Sequence, residues 1–280
     1  GILCDGSSPA IAACVLVSNS ASPHGGGACC VNGASATFTS CTLSRNEGFG
    51  VYCRGSSPSF TDSVIEESTS TGFRCDESSP ELSECTIRGN AATGFHLKDG
   101  SPELGDCTIS TNGGPGILCT DSGPATLFSR CLITENAGSG LMCHEGSVEL
   151  MDCTLLANSN ADGGGVYCNH DCTATLTNCT ISRNVAGSDG GGVYCYDGST
   201  TTLSHCTVSG NQAKRGGGVY CGAITSGSTV NVTSSIVQYN VGGSLEEWRG
   251  GRVTATYSCI QGPEAWPGEG NIHDDPLFCG

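Results

Sequence analysis

Residues 190–195 read GGGVYC, and the same six letters stand at 163–168 and at 216–221, so the cysteines that end them lie 27 and 26 residues apart. Looser copies end at Cys143 (GSGLMC), Cys119 (GPGILC), Leu97 (TGFHL), Cys75 (TGFRC), Cys53 (GFGVYC), Cys30 (GGGACC) and Cys4 (GILC), which makes ten copies with a period of 22 to 27 residues. A second string follows each copy, seen as NCTISRN at 178–184, with relatives SCTLSRN at 40–46, DCTISTN at 106–112 and HCTVSGN at 205–211. A fixed period of this size marks a stacked array in which each repeat is one small structural unit.

The columns of the array give its secondary structure. Two places before the first cysteine stand Ile2, Ala28, Val51, Phe73, Phe95, Ile117, Leu141, Val166, Val193 and Val219. Three places before the second stand Ile11, Phe38, Phe60, Leu82, Leu104, Phe128, Leu150, Leu176, Leu203 and Val232, and two places after it Leu16, Leu43, Ile65, Ile87, Ile109, Ile133, Leu155, Ile181, Val208 and Val237. Every one is apolar. Within VYC and CTI the alternation has period two, which puts the cysteine and its aliphatic neighbour on one face and Tyr or Thr on the other, as in short strands. Three such strands per repeat, separated by turn strings such as DGSSP and SRNEG, predict an all-β parallel β-helix. With coils about 4.8 Å apart, its ten coils make a rod on the order of 50 Å long. In the opening string, glycine serves the tight turn, valine and cysteine face inward, and tyrosine faces outward.

The paired GGGVYC and ISRN strings resemble the short motifs of polymorphic outer-membrane proteins. The pattern as a whole resembles the right-handed parallel β-helix repeats of the pectate-lyase-like superfamily, and the tail GNIHDDPLFCG is similar to segments that close many bacterial secreted proteins of this type. The resemblance implies a right-handed solenoid over nearly the full chain. For function it implies only a range, because this fold carries lyases, hydrolases, adhesins and structural rods. Residues 1–241 form the regular array, whereas 242–280 abandon the short period and contain both tryptophans, Trp248 and Trp266. That stretch reads as an irregular last coil and cap, which an open β-helix end needs against edge-to-edge growth. GILCDGSSP already lies inside a repeat, so the chain reads as part of a longer one.

Two further columns belong to the scaffold. Asn19, Asn46, Asn90, Asn112, Asn136, Asn158, Asn184, Asn211 and Asn240 stand five places after the second cysteine position, interrupted by Ser68. Stacked asparagines bond amide to amide along an axis and tolerate tight-turn backbone, which favours a structural ladder over a polar binding row. Of 21 cysteines, one column holds Cys4, Cys30, Cys53, Cys75, Cys119, Cys143, Cys168, Cys195 and Cys221. The other is expected to hold Cys14, Cys41, Cys85, Cys107, Cys131, Cys153, Cys179, Cys206 and Cys259, leaving Cys29, Cys172 and Cys279 outside. No zinc-finger spacing occurs, and buried thiols make good small apolar fillers. In-register bridges would be strained, because parallel Cβ vectors leave the Cβ atoms wider than the usual ~3.8 Å. Stacked thiols with few bridges are therefore expected.

Function must be sought on the outside. A net charge of −16 with only 11 Lys plus Arg excludes nucleic acid and anionic membranes as natural partners. No apolar run spans a bilayer, and the composition suits a secreted or cell-surface protein. NCT at 178–180 and NVT at 231–233 match glycosylation acceptors. Just before the second cysteine position, five successive coils carry Asp62, Glu84, Asp106, Arg130 and Asp152, with Glu81, Glu103 and Glu149 on the same strand. Carboxylates stacked about 4.8 Å apart repel, which Ca²⁺ bound by Asp62, Glu84, Asp106 and Asp152 would relieve. The alternative is a solvated acidic face with Arg130 as internal counter-charge.

The resemblance adds an enzymatic version of that column, a Ca²⁺-dependent polysaccharide lyase in which Arg130 would abstract the proton beside a uronate carboxylate. The chain lacks the long loops that wall such clefts, and Asp274 and Asp275 sit in the tail rather than in a polygalacturonase-like cluster. Tyr167, Tyr194 and Tyr220, with Tyr52 earlier, form an outward column interrupted by Arg74, His96, Leu118 and Met142. Exposed aromatic faces stack on sugar rings, so this column is a candidate glycan-binding strip, although tyrosine is also an ordinary strand residue. A threonine column at Thr42, Thr86, Thr108, Thr154, Thr180 and Thr207 is accounted for by β propensity. Histidines at 24, 96, 144, 170, 205 and 273 show no catalytic spacing. The sequence therefore supports a non-catalytic rod with a structural, adhesive or glycan-binding role, with the lyase as alternative and polysaccharide as the partner of either.

Overall fold

The computed structural model describes residues 1–274; Asp275 and Cys279 lie outside them. The described residues form 30 strands and no helix, so no helix is long and apolar enough to cross a membrane. Each coil contributes three strands. The first and second join into one large sheet, fused into a single long strand in coils such as Ile117–Ser129 and Val219–Thr233, and the third strands stack into a second sheet of 11. Every pairing runs parallel between a strand and its copy one coil away, as in Val193↔Val219 with Cys195↔Cys221 and Ile181↔Val208. The three apolar columns pass in this register through the whole rod and are its core. Phe38, Phe60, Phe73, Phe95 and Phe128 form a continuous aromatic cluster inside it, with centroid separations of 4.4 to 6.2 Å.

The sequence period fades after Gly242, yet the backbone continues in register for an eleventh coil. Leu245–Thr256 pairs with Val219–Thr233, and Cys259–Ile260 with Ile236–Gln238. This coil corrects one column. Ile260, not Gln261, pairs with Val237, so Ser258 takes the inward position and Cys259 falls one place beyond it, opposite Ile236. The described cysteines are all free thiols, and every one but Cys14 is buried.

The three glycines of GGGVYC are required for different reasons. Gly190 adopts φ +66°, a left-handed conformation that costs a side chain energy. At Gly191 a Cβ would come 2.6 Å from the carbonyl oxygens of Gln212 and Gly217 in the next coil. At Gly192 it would come 2.5 Å from Gly218 O and 3.0 Å from the Asn211 amide nitrogen. That last contact links two columns. Each asparagine donates its Nδ2 to the Oδ1 of the asparagine one coil on, at 2.9 to 3.1 Å from Asn90 through Asn240. The same Oδ1 atoms also accept the preceding backbone N–H, as Asn158 Oδ1 does from Asn136 at 3.1 Å. The glycine column is the space this buried ladder occupies. At Ser68 the ladder breaks, and the buried Ser68 hydroxyl has no partner.

Candidate functional site: the outer face of the first strands

The acidic column lies at the corner between second and third strands. Ala13, Ser40, Asp62, Glu84, Asp106, Arg130, Asp152, Asn178, His205, Ser234 and Tyr257 occupy that corner in successive coils, all with φ between +46° and +56°. Asp and Asn are the non-glycine residues that best tolerate this conformation, which gives several of these residues a backbone reason to be there. Their side chains are exposed, and three carboxylates have partners. Asp62 accepts from Ser40 at 2.8 Å, Asp106 accepts two bonds from Arg130 at 2.7 Å each, and Asp152 accepts from Asn178. The Arg130 hydrogen bonds hold Asp106 below the usual carboxylate range and raise the guanidinium's own pKa, so Arg130 could take a proton only after releasing Asp106. No group of three or more metal-ligating side chains poised for an ion occurs among the described residues.

The tyrosine column stacks on itself. The rings of Tyr167 and Tyr194 lie 5.1 Å apart, and those of Tyr194 and Tyr220 lie 5.4 Å apart, within 4° of parallel. Both faces of Tyr194 are thus occupied, and only 8% of Tyr194 and 1% of Tyr220 remain exposed. Arg215 closes the stack, its guanidinium 5.2 Å from the Tyr220 centroid and paired with Asp189 through two bonds of 2.8 and 2.6 Å. Tyr167, at the other end of the stack, stays half-buried, and further accessible aromatic surface lies one column over. Tyr196 and Trp248 stand two coils apart with Gly222 between them, and their rings approach to 6.3 Å because Gly222 has no side chain to hold them off. Arg249 lies 4.5 Å from the Trp248 ring centroid.

Toward the other end of this face is a polar cluster in which Arg74 and His96 read in the sequence only as interruptions of the tyrosine column. Tyr52, Arg74 and His96 are register partners in successive coils, as are Arg54, Asp76 and Lys98 beside them. Tyr52 donates its hydroxyl to Asp76 Oδ2 at 3.0 Å, and Arg74 binds the same carboxylate through Nε at 3.1 Å and Nη2 at 3.0 Å. Arg74 Nη1 lies 3.3 Å from His96 Nδ1, and His96 Nε2 lies 3.4 Å from the Thr120 hydroxyl, which donates to Leu97 O. With an arginine as obligate donor on one side, the neutral histidine accepts at Nδ1 and donates from Nε2. Burial, aided by Arg74, lowers the His96 pKa to about 4, and burial with the Asp76 contact raises that of Tyr52. The network is thus internally satisfied, while exposed Arg54 and Lys98 flank Asp76 one coil to either side. The cluster has no period of its own, and its signal in the sequence is the departure of Arg74 and His96 from an aromatic column.

Comparisons with known proteins agree with this geometry. No curated protein sequence matches the chain. Among solved structures, a double mutant of a periplasmic alginate epimerase superposes with a TM-score of 0.63 at 12% identity, over 90% of this chain and 70% of that one. The tailspike protein of Pseudomonas phage LKA1 superposes with a TM-score of 0.54 at 11% identity, over 92% of this chain, which spans about half of the tailspike's length. At such identities the likeness is one of fold. The sequence profile described as right-handed beta helix region matches residues 1–159 and 103–260, and the chain belongs to the right-handed β-helix family.

Proposed function

We propose that the chain binds an acidic polysaccharide along the outer face of its first strands, as a non-catalytic secreted or cell-surface β-helix. The observation that carries this reading is that accessible Arg54 and Lys98 toward one end, and Tyr196, Trp248 and Arg249 toward the other, share one face of a protein with net charge −16. Arg54 and Lys98 stand two coils apart, on the order of 10 Å, around Asp76. Tyr196, Trp248 and Arg249 supply a stacking platform toward the other end of the same face. Around Arg54, Arg74 and Lys98 the carboxylates of Asp76, Glu77 and Asp99 balance the cations, whereas the rest of the surface carries the net negative charge and repels a polyanion. The names of the two structural neighbours, an alginate epimerase and a phage tailspike, are in keeping with a polysaccharide partner.

The test is calorimetric titration with oligouronates and with neutral oligosaccharides of equal length. Oligouronate binding that weakens with salt and falls at least roughly tenfold in Arg54→Gln/Lys98→Gln supports the reading. Equal binding of neutral and acidic sugars, or no binding, refutes it. A lyase using Ca²⁺ at Asp62, Glu84, Asp106 and Asp152 with Arg130 as base is the second reading, favoured by the run of exposed carboxylates. It requires an unsaturated uronate product that disappears on chelation.

A further inference from the structure

The histidines that show no pattern along the chain do not stay apart in the fold. His144 pairs in register with Asn169 of the next coil. Beyond that pair, the later coil carries two residues, His170 and Asp171, against the single Glu145 of the earlier one, before register resumes at Gly146↔Cys172. The extra residue makes a bulge, in which His170 and Asp171 take φ of +56° and +58°. Bulges re-aim side chains. Here the His170 ring comes to 6.0 Å from the His144 ring, centroid to centroid, with the planes at 44°.

Asn169 fixes the arrangement from below. Its Oδ1 accepts the His170 backbone N–H at 2.8 Å, and its Nδ2 donates to the Tyr167 hydroxyl at 3.0 Å. Tyr167 in turn meets the His144 ring edge-on at 5.3 Å. No ring nitrogen of either histidine is hydrogen-bonded to protein among the described residues, so both lone-pair sets are unspent. Burial and the proximity of His170 hold His144 below the usual imidazole range. Neutral imidazole is the form that ligates metals.

We propose that His144 and His170 form a two-histidine site for a divalent first-row transition-metal ion. With a metal–nitrogen bond of about 2 Å, two imidazoles on one ion have centroids roughly 4.5 to 5.5 Å apart, so the 6.0 Å between these rings closes to a ligating separation by a small rotation of the exposed His170 side chain. Imidazole nitrogen selects for zinc, nickel, copper or cobalt over calcium or magnesium, which take oxygen. No third His, Cys, Asp or Glu joins the pair among the described residues, so water fills the remaining positions. The ion would stand on the first-strand face between the Arg54–Lys98 cluster and the Tyr196–Trp248 platform. The site does not depend on the saccharide reading.

The probe is Co²⁺ alone, titrated into the intact chain and followed by absorption and by thermal midpoint. The expected result is one equivalent bound with nitrogen and oxygen ligands, without a sulfur-to-cobalt charge-transfer band. His144→Gln and His170→Gln should each weaken binding roughly tenfold or more, while exposed His205→Gln leaves it unchanged. His170 is exposed and its replacement leaves the core intact, so that variant decides the matter even if His144→Gln folds poorly. Unchanged affinity in His170→Gln, a thiolate spectrum as the only signal, or no saturable binding overturns the proposal.

Discussion

Replacing Ser68 by asparagine should stabilise the protein, because it restores the missing rung of a buried ladder. At an intact rung such as Asn136, Oδ1 accepts from the Asn112 backbone at 3.1 Å and side chain at 2.9 Å, while Nδ2 donates to Asn158 Oδ1 at 2.9 Å and Ile109 O at 3.1 Å. In Ser68→Asn the introduced amide would make the same four bonds, to the Asn46 backbone and amide, to Asn90 Oδ1 and to Leu43 O. Space exists, since a Cβ on Gly50 would stand 2.6 Å from Ser68 Oγ, as one on Gly72 would from Asn90 Nδ2. At about 0.5–1.5 kcal/mol net for each of the four bonds, less roughly 1 kcal/mol for ordering the side chain, the gain is about 1–5 kcal/mol. The substitution also removes a buried hydroxyl that has no partner. Urea unfolding followed by circular dichroism should show a higher midpoint with an unchanged slope. In an Asn46→Ala background the gain should shrink, because one side-chain donor to the new amide is gone. An unchanged or lower midpoint for Ser68→Asn would refute the account of the ladder as a stabilising network.

Three further outcomes test other parts of the structure. Gly192→Ala should cost about 3 kcal/mol, because its Cβ would press to 2.5 Å on a backbone oxygen of the next coil, whereas Gly55→Ala meets nothing within 4 Å and pays only for its left-handed backbone; urea midpoints of the two compare them. His96 has a folded pKa of about 4 against an unfolded value near 6.5, so the unfolded chain binds the extra proton between those values. Stability should therefore fall as pH drops from about 6.5 to about 4, and the fall should be shallower in His96→Gln. A thiol-reactive dye should label Cys14 rapidly in the native protein, since it is the only described cysteine that is not buried; Cys14→Ser should remove one fast equivalent, and an unchanged fast phase would contradict the burial of the columns.

The inward columns were legible because each is one physical requirement repeated in every coil. Ile2, Val51, Phe73 and Val193 differ in shape but share a period, and the period alone places them on one face and in one register. Alignment on cysteine failed where cysteine itself slipped: in Tyr257-Ser258-Cys259 the inward place belongs to serine, and only the pairing of Ile260 with Val237 shows it. The regular register of the last coil was hidden for the same reason, since Glu247 stands where Cys221 stands one coil earlier. Tyr194 and Tyr220 were legible as outward but not as buried. Whether an outward ring lies open or stacks on its copy depends on its rotamer and on Arg215, which comes from the turn before its own strand rather than from the strand.

The outer face obeys the opposite logic, and this bears on where function lies. A surface that fixes a ligand's register on a repeat rod must break the repeat, because identical coils present an identical strip with no place to set that register. Along the first strands the breaks are Arg54, Arg74, Asp76, His96 and Lys98 at one end, the His170 bulge in the middle, and Gly222 with Trp248 at the other. Along the corner between second and third strands, the acidic residues instead keep one backbone conformation in every coil, and Asp106 and Asp152 are partnered within the column by Arg130 and Asn178. The first-strand face therefore holds position-specific chemistry, while the acidic corner meets a demand that every coil shares.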